Sequence, residues 1–538
     1  MERSSTTSPP RWLDAAVLLA VTIVVATGVY AAWCRTPLLW DGSYQFGATL
    51  QAGEPYAYLT RFHTRILWLP VVWLARVTDD VRLLQAVYGL PFMLAPAIGL
   101  ACCWWFVRRH MPTLIVWAAT GILATPLPGQ IFVINDSIFQ QHLFWPVFFG
   151  LLVPLTRGQK VVWALLASFQ LVHQIGLILL AGAAVTTFIL AWRPWKRERP
   201  RPLLGEERAK TPALPGAFII ALTLLLLMAA KVWWTSIPGT PYYDSYAAAE
   251  ASWQSAKDRW WKAVWGSPLN GLIMVWLAAG FICRQAWLCT KPHREKAARV
   301  SACIAMLLLF VALPHWSYWS RNPIAWGGAM EYRRWLVPLT MPIFILAAIE
   351  AVWRAWLRSS EVTTQISAQT AGPPPTTPPT GISTQATLDL ALPLRAAILL
   401  LLAATYATVI GRQSTQVNEM NDRLSAEIAA SERTTIILSP DHWLRQTPLE
   451  HWSMGWHSLA LQGKKPSKWI APTDLPPEHL KAFDADPPRL PISKFDTLPP
   501  EPGPGGWYDL REVMEQATKE RHAPSPGTPG EGRGEGGN

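Results

Sequence analysis

The chain is poor in charge. Of its 538 residues only 15% are Asp, Glu, Lys or Arg, against roughly 25% in soluble domains, and this shortage excludes an ordinary water-soluble protein. Cysteine is scarce too. The six, Cys34, Cys102, Cys103, Cys283, Cys289 and Cys303, lie in or beside apolar runs. Their spacing is not that of a metal site, and none falls in the polar C-terminal part, which argues against cysteine chemistry. No small-residue cleavage site follows the first apolar run, so that run is expected to be a retained span. Nor does an internal repeat relate the two halves, although many transporter folds are built from one.

What is abundant is apolar surface. Hydrophobic residues make up 51% of the chain, with 31 tryptophans among its aromatics. They gather in runs of about 15 to 25, and about 20 suffice to cross a hydrocarbon core about 30 Å thick. Spans are expected near 14–34, 83–107, 112–126, 138–156, 160–172, 174–192, 214–235, 268–288, 300–314, 335–353 and 391–411. The predicted class is an all-α polytopic membrane protein of about 11 transmembrane helices. Amphipathic helices are expected in its first outer loop and a small extracytoplasmic α/β domain at its C-terminus.

Charge orients this arrangement. Segment 66–77 has a short apolar stretch with a proline inside it, and it is expected to lie on the membrane as an interfacial or re-entrant helix. With a cytoplasmic N-terminus, Arg108, Arg109, His110, Arg157, Lys160, the basic runs 193–202 and 291–299, Arg354 and Arg358 then all face the cytoplasm. That is the bias expected of short inner loops. It requires 160–192 to be two short spans turning near His173 and Gln174. It also accounts for the net charge of +11 without a nucleic-acid partner. The expected organisation is a cytoplasmic N-terminus at 1–13 and a membrane core at 14–354. A Ser/Thr/Pro-rich cytoplasmic linker at 355–390 leads to the last span at 391–411. An outer domain follows at 412–520, then a disordered tail at 521–538.

Some cations oppose this orientation: Arg61, Arg65, Arg76 and Arg82 in the first outer loop, Lys257, Arg259 and Lys262 in the second, Arg321, Arg333 and Arg334 in the third. As a set they suit an anionic lipid headgroup; singly, each has an ordinary reading as the partner of a nearby acid or phospholipid. Asp41, in "LLWDGSYQF", stands where the first span leaves the membrane. It is either the cap of a following helix, a reacting carboxylate, or both. Asn135 and Asp136 precede the fourth span at the same face, where Asp136 is a cap or a member of the same polar site. In 441–457, Asp441, His442, Glu450, His451 and His457 invite a metal reading. Their spacing fits no helical pair of ligands, and the intervening tryptophans favour packing against the membrane-facing loops.

Three segments carry a resemblance: "WDGSYQFGATLQAGEPY" after span one, "RLLQAVYGLPFMLAPAIGLACCWWFVRRH" with its basic inner end, followed by an outer turn bearing "NDS", and "EYRRWLVPLTMPIFILAA" at 331–348. In order and topology they resemble the GT-C glycosyltransferases, in particular the protein mannosyltransferase and aminoarabinose-transferase-like branch, over roughly residues 12–354. The resemblance implies a polyprenyl-phosphate-linked sugar donor and a lipid, glycan or protein acceptor. It puts the catalytic carboxylate on Asp41 and the donor-phosphate arginine on Arg333 or Arg334; in the mechanism this implies, Arg321 or Lys257 is the helper. Glu331, Tyr332, His315, His63, Arg65, Asn135 and Asp136 are the further candidates for the site. Gly42 stands where the family often has a second acid, so a divalent metal is only weakly supported and no cofactor is expected with certainty.

The implied chemistry is modest. A polyprenyl phosphate leaves as an anion, so one base suffices where a glycosidase needs two carboxylates. The rival classes are a flippase for a lipid-linked sugar, which would also want outer arginines, and a noncatalytic envelope scaffold.

Overall fold

The computed structural model describes residues 10–39, 41–55, 65–124, 136–172, 175–197, 213–235, 344, 347, 348, 350, 384–431, 435–437, 442–447, 451–464, 468–471, 489–491 and 507–509. It is mostly helical. In chain order the helices are α1 (Arg11–Trp33), α2 (Asp41–Ala52), α3 (Arg65–Ala75), α4 (Val81–Val107), α5 (Ile115–Ala119), α6 (Asp136–Leu152), α7 (Arg157–Ser168), α8 (Ile175–Arg197), α9 (Ala213–Thr235), α10 (Thr384–Ala430) and α11 (His451–Gln462). Four of these, α1, α4, α9 and α10, are long and apolar enough to cross a membrane. The expected spans 268–288 and 300–314 lie outside the described residues, as does 335–353 apart from four positions.

The apolar helices satisfy within themselves much of what little polarity they carry. Thr27, Thr186, Thr187, Thr223 and Thr408 each donate their hydroxyl to a carbonyl four residues back, which satisfies the donor without water. Asp14 accepts from the Trp104 indole at 2.9 Å, and Asp80 caps α4 through the Leu83 N–H. Glycines set the closest approaches. A Cβ on Gly28 would stand 2.5 Å from the Met93 carbonyl oxygen, and one on Gly99 would stand 2.5 Å from that of His142. Helices α1, α4 and α6 therefore pack through bare backbone, as membrane helices commonly do. Beyond α5 the chain widens into a π-helical turn, Thr120–Ala124, where Gly121 leaves room for the Trp145 indole.

Contacts give the helix directions. Phe92 meets Phe139 and Gly99 meets His142, so α6 runs parallel to α4 and Asp136 opens at the same end of the bundle as Val81. Along α7, Trp163 bonds to the Val147 carbonyl and Gln170 to that of Gln140, which makes α7 antiparallel to α6. Gly176 then lies beside Gln140, so the chain reverses between α7 and α8. Lys231 of α9 donates to the Leu171 and Val172 carbonyls at that turn, capping the open end of the short helix Phe169–Leu171 as a cation should.

At the opposite end lies a buried ion pair. Arg395 of α10 donates to both carboxylate oxygens of Glu350 at 3.0 Å and to the Thr113 carbonyl at 2.8 Å. Trp117 donates to the same carboxylate at 2.6 Å.

Two elements differ from expectation. Helix α10 does not stop near 411 but continues to Ala430, about 28 Å past Gly411 at 1.5 Å per residue. Helix α2, expected to rest on the membrane surface, is covered instead: Ser43, Gln45, Phe46, Thr49 and Leu50 are all buried. Its cover is α11, from the far end of the chain. After α10, strand β1 (Thr435–Ile437) pairs in parallel with β2 (Trp469–Ala471), and α11 makes the crossover.

Candidate functional site

Three of the residues proposed for chemistry are described, each at the start of a helix. Asp41 opens α2, Arg65 opens α3 and Asp136 opens α6. Arg65 is exposed. His63, Asn135, His315, Arg321, Glu331, Tyr332, Arg333 and Arg334 lie outside the described residues.

The turn that leads into α2 is held from outside. Arg35 adopts the left-handed conformation, φ 62°, uncommon for a residue with a side chain. Its guanidinium explains why the turn holds. It donates to Asp422 at 2.5 Å and to Asn418 Oδ1 at 3.0 Å, both on α10. Burial lowers its pKa from the ordinary arginine value, and Asp422 opposes that shift. Arg82, one of the outer cations that oppose the orientation bias, reaches the same Asn418 oxygen at 3.2 Å and lies over the Trp33 ring at 5.0 Å. Its charge serves the junction of α1, α4 and α10. Pro37, within the turn, packs into the gap left by Gly89 of α4.

Beneath α2 runs a file of rings: Phe46 to Tyr88 at 5.1 Å, Tyr88 to Trp68 at 6.2 Å, Tyr88 to Phe92 at 6.4 Å, Phe92 to Phe139 at 5.2 Å. Trp68, Tyr88 and Phe46 are fully buried. Phe46 and Trp68 of the first loop thus form core, not an interfacial belt; among the described aromatics of that loop Trp73 is the exposed one.

Helix α11 closes the site. Trp456 sits edge-on to Tyr44 with ring centroids 4.6 Å apart, and lies 3.8 Å from where Gly47 would carry a Cβ. Gln85 donates to the Ala460 carbonyl at 2.8 Å, and Lys464 to the Thr78 carbonyl at 2.6 Å and Asp79 at 2.8 Å. His457 is buried between the Leu38 carbonyl, 3.2 Å from Nδ1, and Asn421 Oδ1, 2.6 Å from Nε2. His442 instead meets Glu427 on α10 at 3.0 Å. Among the described residues no three His, Cys, Asp or Glu side chains gather as metal ligands.

No family model, curated protein or solved structure matches the chain. The site is therefore read from its own geometry and from the resemblance in the sequence.

Sequence reasoning missed Arg35, Asn418, Asn421, Asp422 and the role of His457. One signal was available: Arg35 opposes the orientation bias as much as Arg82 does, directly after the first apolar run. Asn418 and Asp422 lie one helical turn apart in a stretch whose polarity suggested a domain boundary.

Burial pushes the His457 pKa down to about 4; the Leu38 carbonyl opposes the shift and the charge of Arg35 reinforces it. A released imidazole titrates near 6.5. Between those values the released form binds a proton that the docked form does not, so docking weakens as pH falls from about 6.5 to about 4 and levels off below. The loss is on the order of 3 kcal/mol, at about 1.4 kcal/mol per pKa unit. Urea midpoints for the release of α11, followed by protease susceptibility of residues 451–462 from pH 7.5 to 3.5, should trace that window. A flat profile would contradict a neutral buried His457.

Proposed function

We propose that the chain is an integral-membrane glycosyltransferase of GT-C type that moves a sugar from a polyprenyl-phosphate donor to an acceptor hydroxyl by a single inverting displacement. In this reading it is a multi-pass protein of the inner membrane, with about 11 spans, a cytoplasmic N-terminus and a C-terminal α/β region outside. Asp41 takes the acceptor proton as oxygen attacks the anomeric carbon. Arg333 or Arg334, helped by Arg321, stabilises the charge gathering on the departing phosphate.

The observation that carries the reading is the placement of Asp41. It opens a covered helix at the bundle end, and the turn leading to it is tied to α10 through Arg35 and to α11 through Leu38. A surface cap needs no such support, whereas a base must be held within hydrogen-bond reach of its proton. The resemblance supplies the donor class; fold and chemistry shared across acceptors leave the sugar and the acceptor open.

The test uses purified full-length protein in detergent and in vesicles with a polyprenyl-phosphate sugar bearing a radiolabel. Label passing to an acceptor, with release of polyprenyl phosphate, is the expected result. Label that crosses the vesicle unreacted would assign a flippase. Neither transfer nor crossing, with no polyprenyl phosphate co-purifying, would leave a scaffold and overturn the proposal.

A further inference from the structure

His457 poses a hydrogen-bonding problem with one economical solution. A neutral imidazole has a single N–H, yet both partners as drawn, the Leu38 carbonyl and Asn421 Oδ1, are acceptors. Meanwhile Asn421 Nδ2 is buried with no partner among the described residues. Turning the Asn421 amide by half a revolution removes the first fault and puts an oxygen in place of the unpaired Nδ2, and an under-satisfied carbonyl is the less costly of the two. Nδ2 then donates to His457 Nε2, and His457 Nδ1–H donates to the Leu38 carbonyl. Charge favours this neutral arrangement, because Arg35 is a close cation and its counter-ion Asp422 is already engaged.

The contact falls at a decisive place in the chain. Backbone bonds inside the turn link Leu38 to Arg35, Leu39 to Thr36 and Gly42 to Leu39, so the turn is wound internally. It is tied to α10 twice, by Arg35 on Asn418 and Asp422 and by Leu38 through His457 on Asn421. One turn further on, Trp456 packs against Tyr44 and Gly47 of α2. Adjacent residues of α11 thus hold the entry and the middle of the same short helix.

We propose that His457, with Trp456, is a positioning residue that clamps α2 against α10 and so fixes where Asp41 stands. The structural half is independent of the chemistry; the catalytic half rests on the reading of Asp41 as the base. A base displaced by about 1 Å loses on the order of 10²-fold in rate. Donor binding would be spared, because the proposed function assigns the phosphate to arginines that are not part of α2 or its turn.

The test compares His457→Phe with His457→Gln in the full-length protein. Glutamine supplies a donor group and an acceptor group, as neutral histidine does; phenylalanine supplies shape alone. In His457→Phe, hydrogen exchange of residues 38–52 should rise about tenfold or more and kcat should fall about tenfold or more, with donor KM within about twofold of the parent. In His457→Gln both should stay near the parent values. Trp456→Ala should reproduce the loosening of 38–52 and serves as the variant of record if His457→Phe does not fold. Unchanged exchange at 38–52 in that comparison overturns the clamp. So does an equal loss in His457→Gln with general loosening of the core, since that would mark a merely structural histidine. If the parent protein transfers no sugar, the glycosyltransferase reading falls and the exchange data alone decide the clamp.

Discussion

Asp41→Asn is expected to lower sugar transfer by about 10² to 10⁴-fold, the usual contribution of a positioned general base, while leaving the protein folded. The substitution separates the two roles that a carboxylate at a helix start can play. Asp41 opens α2, where asparagine hydrogen-bonds free N–H groups about as well as aspartate; only the helix-dipole contribution of the charge, about 0.3 to 1 kcal/mol, is lost. An aspartate that merely caps would therefore lose little on becoming asparagine. Asp41→Ala removes cap and base together and should cost about 1 kcal/mol of stability in addition to the activity. The measurement is initial-rate transfer by purified protein at matched monodispersity and melting temperature. Transfer retained in Asp41→Asn would eliminate Asp41 as the base, and with it the single-displacement mechanism.

Local pattern carried the sequence reading as far as hydropathy reaches. The apolar runs at 14–34, 83–107 and 214–235 are the helices Arg11–Trp33, Val81–Val107 and Ala213–Thr235, because an uncharged run of that length has few alternatives. The reversal expected near His173 lies between α7 and α8, where charge bias alone demanded it. What stayed hidden were contacts between residues hundreds of positions apart. Helix α2 looks amphipathic until α11 covers its polar side, and no periodicity within α2 announces a partner some 400 residues away. The extension of α10 was hidden differently. Beyond Gly411 its buried residues are Gln413, Ser414, Val417, Asn421, Leu424 and Ile428, which share one helical face, so the helical period was present beneath a polar composition that hydropathy reads as a loop. Asp41 was legible as a carboxylate at the end of a span; the scaffold around it was not.

Removing either member of the Glu350–Arg395 pair is expected to be the most damaging single change to stability. Both side chains are about 95% buried, and neither the Trp117 indole nor the Thr113 carbonyl carries a charge that could replace the lost partner. Leaving an unpaired buried charge costs about 3 to 5 kcal/mol, whereas replacing both partners by apolar residues of similar volume is often neutral. Glu350→Leu and Arg395→Met should each lower the yield and thermal stability of the detergent-purified protein sharply, and the double variant should recover most of the loss. If the single variants melt with the parent, the pair is not a lock. The effect should also travel. Arg395 and Asn421 lie on one continuous helix about 39 Å apart along its axis, and the far end of that helix holds Arg35 directly and Leu38 through His457. A helix freed at Arg395 can rotate or slide, and each such motion shifts Asn418, Asn421 and Asp422 together. Faster hydrogen exchange at residues 38–52 in Arg395→Met, restored in the double variant, would therefore show that the ion pair at one end of the bundle sets the register of the turn that presents Asp41 at the other.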